Sequence, residues 1–397
     1  MRRWGAGCGH HCGEGGVGAD GESEINAMFS KFEEVVSQRH DVAARYKGQG
    51  RKIVGYFCDY TPEEVIHAAG LIPVRITGAK DQIDKADRYL QTNVCSFARS
   101  CLELALRGTY DYLDGLVVTH TCDVITKMYE IWQYRLEKPD FLHYVWFPHN
   151  IYDQAALQVV EGEINRLKRS LEEFTGSEIS DEALNHSIEV YNTNRRLLKE
   201  VYECRKSDPP KISGTEAFTV TLSALLMPRE EHNILLEELL SNIEGRKDGP
   251  QRNTRLMIAA SMLDDVDLIR VIEERGGNVV SDDLCTGSRY FWDLVEDSDR
   301  PPVTRLAERY LGKVPCPRSY QSEEPRFAHI KAMINDYNAQ GVVLYILRCC
   351  DAHLYQYPKL QKELDVPLLY IQGEQTLSGL AQITNRVDAF LEMIGGI

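Results

Sequence analysis

Gly115-Leu-Val-Val-Thr-His-Thr-Cys-Asp123 decides how the rest of the chain is read. A β-branched apolar run ends in a cysteine, and a helical pattern follows directly. Gly341-Val-Val-Leu-Tyr-Ile-Leu-Arg-Cys-Cys-Asp351 repeats that grammar near the C-terminus. Uninterrupted apolar runs suit parallel strands covered by helices on both faces. In such sheets reactive groups gather beyond the carboxyl ends of the strands. Two Cys-Asp pairs at two strand ends therefore predict one shared site whose chemistry is that of sulfur.

The flanking segments keep the alternation of strand and helix. Lys52–Cys58 reads as a strand. Thr61-Pro-Glu-Glu64 reads as a capping box with proline at the first helical position. That helix stops near Gly70, and Leu71–Ile76 is the next strand, completing a βαβ unit. Thr92–Cys101 leads into a helix with Cys95 at or just before its first turn. Unpaired N–H groups and the helix dipole favour a thiolate there. A helix follows Cys122 through Val124, Ile125, Met128 and Trp132, and His143–Pro148 is expected as the last strand of this part. Upstream, Ile25, Met28, Phe29, Phe32 and Val36 share one helical face.

Beyond Tyr152 the pattern is mainly helical, with Leu184, Ile188, Tyr191, Leu198 and Tyr202 at helical spacing. Glu244–Pro250 has the composition of a linker. Strand-like runs then return at Arg255–Ala260, Asn278–Ser281, Gly341–Leu347 and Pro367–Ile371. Helices are expected at Val266–Arg275 and Phe327–Tyr337, and Leu380–Met393 closes the chain. The fold class is α/β with two parallel sheets. The expected domains are a disordered tail over 1–22, an N-terminal helix plus first α/β domain over 23–150, a mainly helical region over 151–249, and a second α/β domain over 250–397.

The totals narrow the function. A chain of 397 residues with 43% apolar and 26% charged residues is expected to be globular and multi-domain. A formal charge of -15 argues against a nucleic-acid partner. No run is long enough to span a membrane and no hydrophobic signal core is present, so a cytoplasmic location is expected. Eleven cysteines in such a chain are not expected to be a disulfide framework.

Cys95, Cys122 and Cys350 stand out by position. None belongs to a CxxC pair, so a zinc ribbon is not indicated. A catalytic thiol and an iron–sulfur cluster held from separate loops both remain open, and scattered strand-end cysteines suit the cluster better. Cys8, His10, His11 and Cys12 lie in the glycine-rich tail and match no closed zinc site. Cys58 and Cys285 also sit at strand ends and are candidates to line the site. His120 is a candidate proton donor or a structural hydrogen-bond partner. Asp123 and Asp351 are expected to cap the helices that follow them. Arg289 is placed to meet a substrate charge or an internal carboxylate, and Gln375 and Thr376 follow the last strand toward the same end. No GxxxxGK[ST] motif is present, so ATP binding of that kind is not expected.

Several stretches together carry a resemblance. They are Gly55–Val74, Asn93-Val-Cys-Ser-Phe-Ala-Arg-Ser100, His120-Thr-Cys-Asp-Val124, Asp282-Asp-Leu-Cys-Thr-Gly-Ser-Arg289, Cys350-Asp351 and Gly379–Glu392. They run in order from about residue 50 to the C-terminus. The chain resembles a D-component-type subunit of the 2-hydroxyacyl-CoA dehydratase and benzoyl-CoA reductase family. The resemblance implies two flavodoxin-like or Rossmann-like domains with helical additions and a cluster between them. By position it implies Cys95, Cys122 and Cys350 as ligands of a [4Fe-4S] cluster, with Cys349 the competitor for the last place. Three thiolates would leave one iron free to act as a Lewis acid toward an acyl-CoA substrate. It further implies a separate ATP-hydrolysing iron–sulfur activator. The partner subunit is a related sister chain in a heterodimer, or a second copy in a homodimer. The alternatives are a reductase of small molecules carrying a double-cubane [8Fe-9S] cluster, and a subunit that only relays electrons or serves a structural role.

Overall fold

The computed structural model describes residues 19–137, 139–243, 246, 249–250, 254–375 and 380–395. The chain begins with α1 (Ala19–Ser37) and α2 (Arg39–Gly48). The first α/β part follows as β1 (Ile53–Tyr56), α3 (Glu63–Ala68), β2 (Ile72–Arg75), α4 (Ser96–Leu106), β3 (Gly115–Thr119), α5 (Asp123–Arg135) and β4 (Phe141–Val145). The helical stretch consists of α6 (Ala156–Thr175), α7 (Asp181–Glu203), α8 (Gly214–Ala224) and α9 (Arg229–Ile243). The second α/β part runs β5 (Thr254–Ala260), α10 (Asp267–Glu274), β6 (Gly277–Asp283), α11 (Ser288–Phe291), α12 (Pro302–Gly312), α13 (Glu323–Asp336), β7 (Gly341–Leu347), α14 (Asp351–Glu363), β8 (Leu368–Gly373) and α15 (Leu380–Gly395).

Both sheets are wholly parallel, ordered β2-β1-β3-β4 and β6-β5-β7-β8. The order reverses between β1 and β3 in one and between β5 and β7 in the other, so each sheet has a crevice at its carboxyl edge. Both the expected fold class and the doubly wound order are observed. Strand alternation sorts the apolar residues. Ile53, Leu116 and Val118 share one cluster with Leu256, Ile258 and Val343, so a continuous apolar layer joins one face of each sheet. Val54, Tyr56 and Val117 pack on the opposite face against Val160, Ile164 and Leu167 of α6. Met257, Ala259, Val342 and Leu344 face Phe327, Ile330 and Met333 of α13. Full burial of one such Val, Leu or Ile stabilises by about 1.5–3 kcal/mol, and this layer fixes how the two carboxyl edges meet.

The helical stretch serves both sheets. α7 packs on α3 and α9, while α8 packs on β6 and α10. α8 starts with a complete capping box between Ser213 and Glu216, and Glu273 accepts from the N–H groups of Gly214 and Thr215. A Cβ at Gly214 would stand 2.5 Å from the Val279 carbonyl, so only glycine lets this helix end approach β6 so closely. No described helix is long and apolar enough to cross a membrane.

Three local expectations need correction. The expected box at Thr61 does not form: Pro62 is the N-cap of α3, and Thr61 instead hydrogen-bonds Thr119 across to β3 (2.7 Å). Glu63 and Glu64 are drawn inward by Arg229 and Arg195. β4 covers Phe141–Val145 rather than His143–Pro148, because Gly115 of β3 pairs with Phe141. Asp123 and Asp351 lie in the first turns of α5 and α14, and the caps themselves are Cys122 and Cys350. The tail residues Cys8, His10, His11 and Cys12, most of the expected linker, and Thr376 lie outside the described residues.

Candidate metal centre

Three cysteines cap three helices. Cys95 is the N-cap of α4, Cys122 of α5 and Cys350 of α14. Burial pushes the Cys95 thiol up to about 12, while the N–H groups of Phe97 and Ala98 pull it down. Burial likewise raises Cys122, opposed by the N–H groups of Ile125 and Val124. Cys350 is raised by burial and by its sulfur neighbours, opposed by the His353 N–H. None of the three makes a side-chain cap bond, and the first-turn N–H groups act on each sulfur electrostatically. The three thiols are electrostatic neighbours of one another. Cys122 is exposed even though burial raises its thiol, as befits a group lining a concave surface. The structure thus brings together three cysteines that are more than two hundred residues apart from first to last.

A second set lies beside the first. Cys58 follows β1, Cys285 follows β6, and Cys316 lies in the loop after α12. Cys316 bears electrostatically on Cys58 and Cys285, and also on Cys122 and Cys350. It is therefore the link between the two sets. Burial pushes the Cys58 thiol well up and Cys285 up to about 11. Cys58 donates to Asp59 (3.3 Å), and the Cys316 N–H donates to the Tyr60 hydroxyl (3.1 Å). Sequence reasoning missed Cys316 because it sought strand ends. The available signal was Pro315-Cys316-Pro317, a cysteine whose backbone is stiffened from both sides.

The charges around this second set are predominantly positive. Arg75, Arg289 and Arg318 act on Cys58 or Cys285. Asp59 is the carboxylate nearest them, and Lys313 already pairs with it at 2.6 Å. Burial alone would raise Asp59, but Lys313, Arg289 and Arg75 hold it at about 2. Arg289 lies within 3.0 Å of Asp283, yet no guanidinium nitrogen of Arg289 makes a well-formed hydrogen bond. Asp283 spends its hydrogen bonds on Arg326. The Nε of Arg75 is also buried without a hydrogen bond, as are Nε and Nη2 of Arg318. The Cys285–Arg289 turn is locked in place: Ser288 bonds Asp282 twice, and a Cβ at Gly287 would stand 2.3 Å from that carboxylate.

Six thiols, helix N-termini and unspent guanidinium groups suit an anionic, sulfur-ligated group. Among the described residues, no three His, Cys, Asp or Glu side chains are close enough to hold a single metal ion. That spacing is compatible with a cluster, because each thiolate of a cube binds a different iron.

The remaining candidates separate. Cys349 is half-buried in the left-handed region (φ +65°) and turns the chain so that Cys350 meets α14. His120 donates from Nδ1 to the Phe147 carbonyl (3.2 Å), stacks on Trp146 and meets His149 edge-on. Burial lowers its pKa, with His149 and Arg318 adding to the effect. Gln375 is buried; its N–H donates to Ser96 Oγ (2.9 Å), and its side-chain amide donates to Asp264. The other oxygen of Asp264 accepts from the Gly78 N–H (2.6 Å). A Cβ at Gly78 would lie 2.2 Å from Ser100 Oγ, so glycine is needed at that contact. Cys101 is buried and Cys204 half-buried.

The family described as 2-hydroxyglutaryl-CoA dehydratase, D-component, matches residues 58–394. Similar proteins include the (R)-phenyllactyl-CoA dehydratase beta subunit of Clostridium sporogenes, 27% identical over 94% of this chain and 100% of that one. A benzoyl-CoA reductase subunit of Thauera aromatica is 29% identical over 87% of this chain and 91% of that one. The (R)-2-hydroxyglutaryl-CoA dehydratase beta subunit of Acidaminococcus fermentans is 25% identical over 93% of this chain and 100% of that one.

Proposed function

The chain belongs to the 2-hydroxyglutaryl-CoA dehydratase D-component family, and from that membership we propose that it is the iron–sulfur subunit of an acyl-CoA-processing enzyme. Its relatives are named as subunits of 2-hydroxyacyl-CoA dehydratases and of a benzoyl-CoA reductase, and this chain is a subunit of that enzyme type. The substrate is a 2-hydroxyacyl-CoA that loses water, or a benzoyl-CoA-like thioester that is reduced. A related sister chain completes the enzyme, in keeping with the beta-subunit names, or a second copy does so. Electrons come from a separate ATP-hydrolysing iron–sulfur activator, in the cytoplasm.

The observation that carries this reading is the meeting of Cys95, Cys122 and Cys350 at three helix N-termini drawn from both sheets. A [4Fe-4S] group held there would supply one electron at low potential and an iron without a protein ligand. The chain's own part is to fix the three sulfurs and favour their anionic form through N–H groups that need no reorganisation. His120 holds its Nδ1 proton on Phe147, which leaves Nε2 to accept or hand over a proton near Cys122. Its lowered pKa keeps the ring neutral at pH 7.

A second reading is favoured by the second set of thiols. Cys58, Cys285 and Cys316 have no task in a lone cube, and with the first three they would suit a double-cubane [8Fe-9S] cluster in a reductase of small molecules. Iron and acid-labile sulfide counted per chain after anaerobic purification decide between them, at roughly four irons against eight. A colourless protein that takes up no iron on reconstitution overturns both.

A further inference from the structure

Arg289 carries a buried positive charge whose one adjacent carboxylate, Asp283, is shared with Arg326. Its side chain is 1% exposed; Nε lies 3.0 Å from Asp283 Oδ1, and Nη1 and Nη2 lack hydrogen-bond partners. Arg326 bonds only the other oxygen of Asp283, so one carboxylate answers two guanidinium groups. Arg75 is 4% exposed and its Nε is likewise unpartnered. Both arginines act on Cys285, and Arg289 also on Cys316. Asp59, the carboxylate that acts on both arginines, is itself paired with Lys313. Two buried cations sharing one carboxylate, with guanidinium nitrogens left unpartnered, favour a further anion in their midst. Among the groups that Arg289 and Arg75 face, Cys58, Cys285 and Cys316 could hold one. The locked Cys285–Arg289 turn holds thiol and guanidinium in one rigid unit.

We propose that Arg289, seconded by Arg75, is the counter-charge for an anionic iron–sulfur unit on Cys58, Cys285 and Cys316, and that it sets how readily that unit accepts an electron. The inference rests on the reading of the basin as an iron–sulfur site. The step concerned is uptake of one electron from an added reductant, with no bond made or broken. A fixed positive charge lowers the free energy of the reduced, more negative form, and net charge and hydrogen bonds to sulfur are recognised determinants of such potentials.

The test uses the full chain, anaerobically reconstituted with iron and sulfide and titrated with a europium(II) chelate. At the wild-type midpoint, Arg289→Gln should lower the reduced-to-oxidised ratio at least tenfold, which is about 59 mV for a one-electron couple. Arg289→Lys, which keeps the charge, should return most of that ratio. Where Arg289→Gln does not give a folded chain by circular dichroism, Arg75→Gln takes its place with the same expected direction. Wild-type ratios in a glutamine variant of full iron content overturn the inference and leave the proposed function standing. A wild-type chain that binds no iron overturns both.

Discussion

The two sets of thiols are held by different kinds of charge. Cys95, Cys122 and Cys350 stand on helix N-termini, whose partial charges are worth about 0.3–1 kcal/mol each and fade within a turn. Cys58, Cys285 and Cys316 stand on loops beside full guanidinium charges with few other partners. The first set includes the exposed Cys122. The second is lined by Arg75 and Arg289, which are almost wholly out of water. The contrast lies in the kind of charge, since five of the six thiols are half-buried and Cys122 alone is exposed. Backbone dipoles act on the open side, which holds Cys122, and ionic groups act on the closed side, which holds the buried arginines.

The largest expected effect breaks the open side. Cys122→Ser should remove most of the iron while circular dichroism stays near wild type, because both sheets keep their own buried layers. Unchanged iron in that variant would sink the assignment. Cys316→Ser sharpens the contrast. With two cooperating sets, iron should fall from about eight to about four per chain; with one cube on the first set, it should stay near four.

A third variant probes the frame under the closed side. Glu64 is paired with Arg195 of α7, and Tyr310 of α12 donates to its other oxygen (2.7 Å). Arg195→Met leaves that carboxylate buried and uncompensated, and should cost about 3–5 kcal/mol in urea unfolding. Because α12 leads into the Cys316 loop, any iron lost with it should come from the second set. A denaturation midpoint within error of wild type would refute the pairing.

The smallest effect is a pH dependence remote from both sets. His232 is buried between Asn194 and Ser223, and burial together with Arg229 lowers its pKa to about 3. The folded form holds this ring neutral, whereas the unfolded chain protonates it near 6.5. Its contribution is therefore complete above about pH 6.5 and is lost as pH falls from there toward 3. His232→Gln should flatten that limb by a few kcal/mol in stability measured across this range, with iron content unmoved. An unchanged limb would show that the histidine is not held neutral.

Much of this plan was legible in the chain. Gly115–Thr119 and Gly341–Leu347 read as strands because burial on both faces leaves no polar alternation. Cys122 and Cys350 were legible for the same reason, since a strand that ends where a helix begins marks the crevice. Cys316 was not, because it follows a helix rather than a strand, and Arg309 of that helix is buried by bonds to the Tyr290 and Asp293 carbonyls. Buried arginines read as surface in a sequence. Glu63 and Glu64 misled in the opposite sense, resembling a helix cap while serving as interior counter-ions. Pairwise register, which set β4 two residues early, depends on a neighbouring strand and has no local signature.

Asp264 has a mechanical consequence. Its two oxygens are the clasp between the loop after β2, through Gly78, and the loop after β8, through Gln375, whose own N–H is fastened to Ser96 beside Cys95. At the sulfur-bearing rim the gape between the two lobes is thus held by this carboxylate together with the Gln375–Ser96 bond and the Lys80 pairs to Asp265 and Asp267. Any motion that widened the mouth for a bulky guest would have to unfasten that clasp first, and would shift Cys95 as it did so.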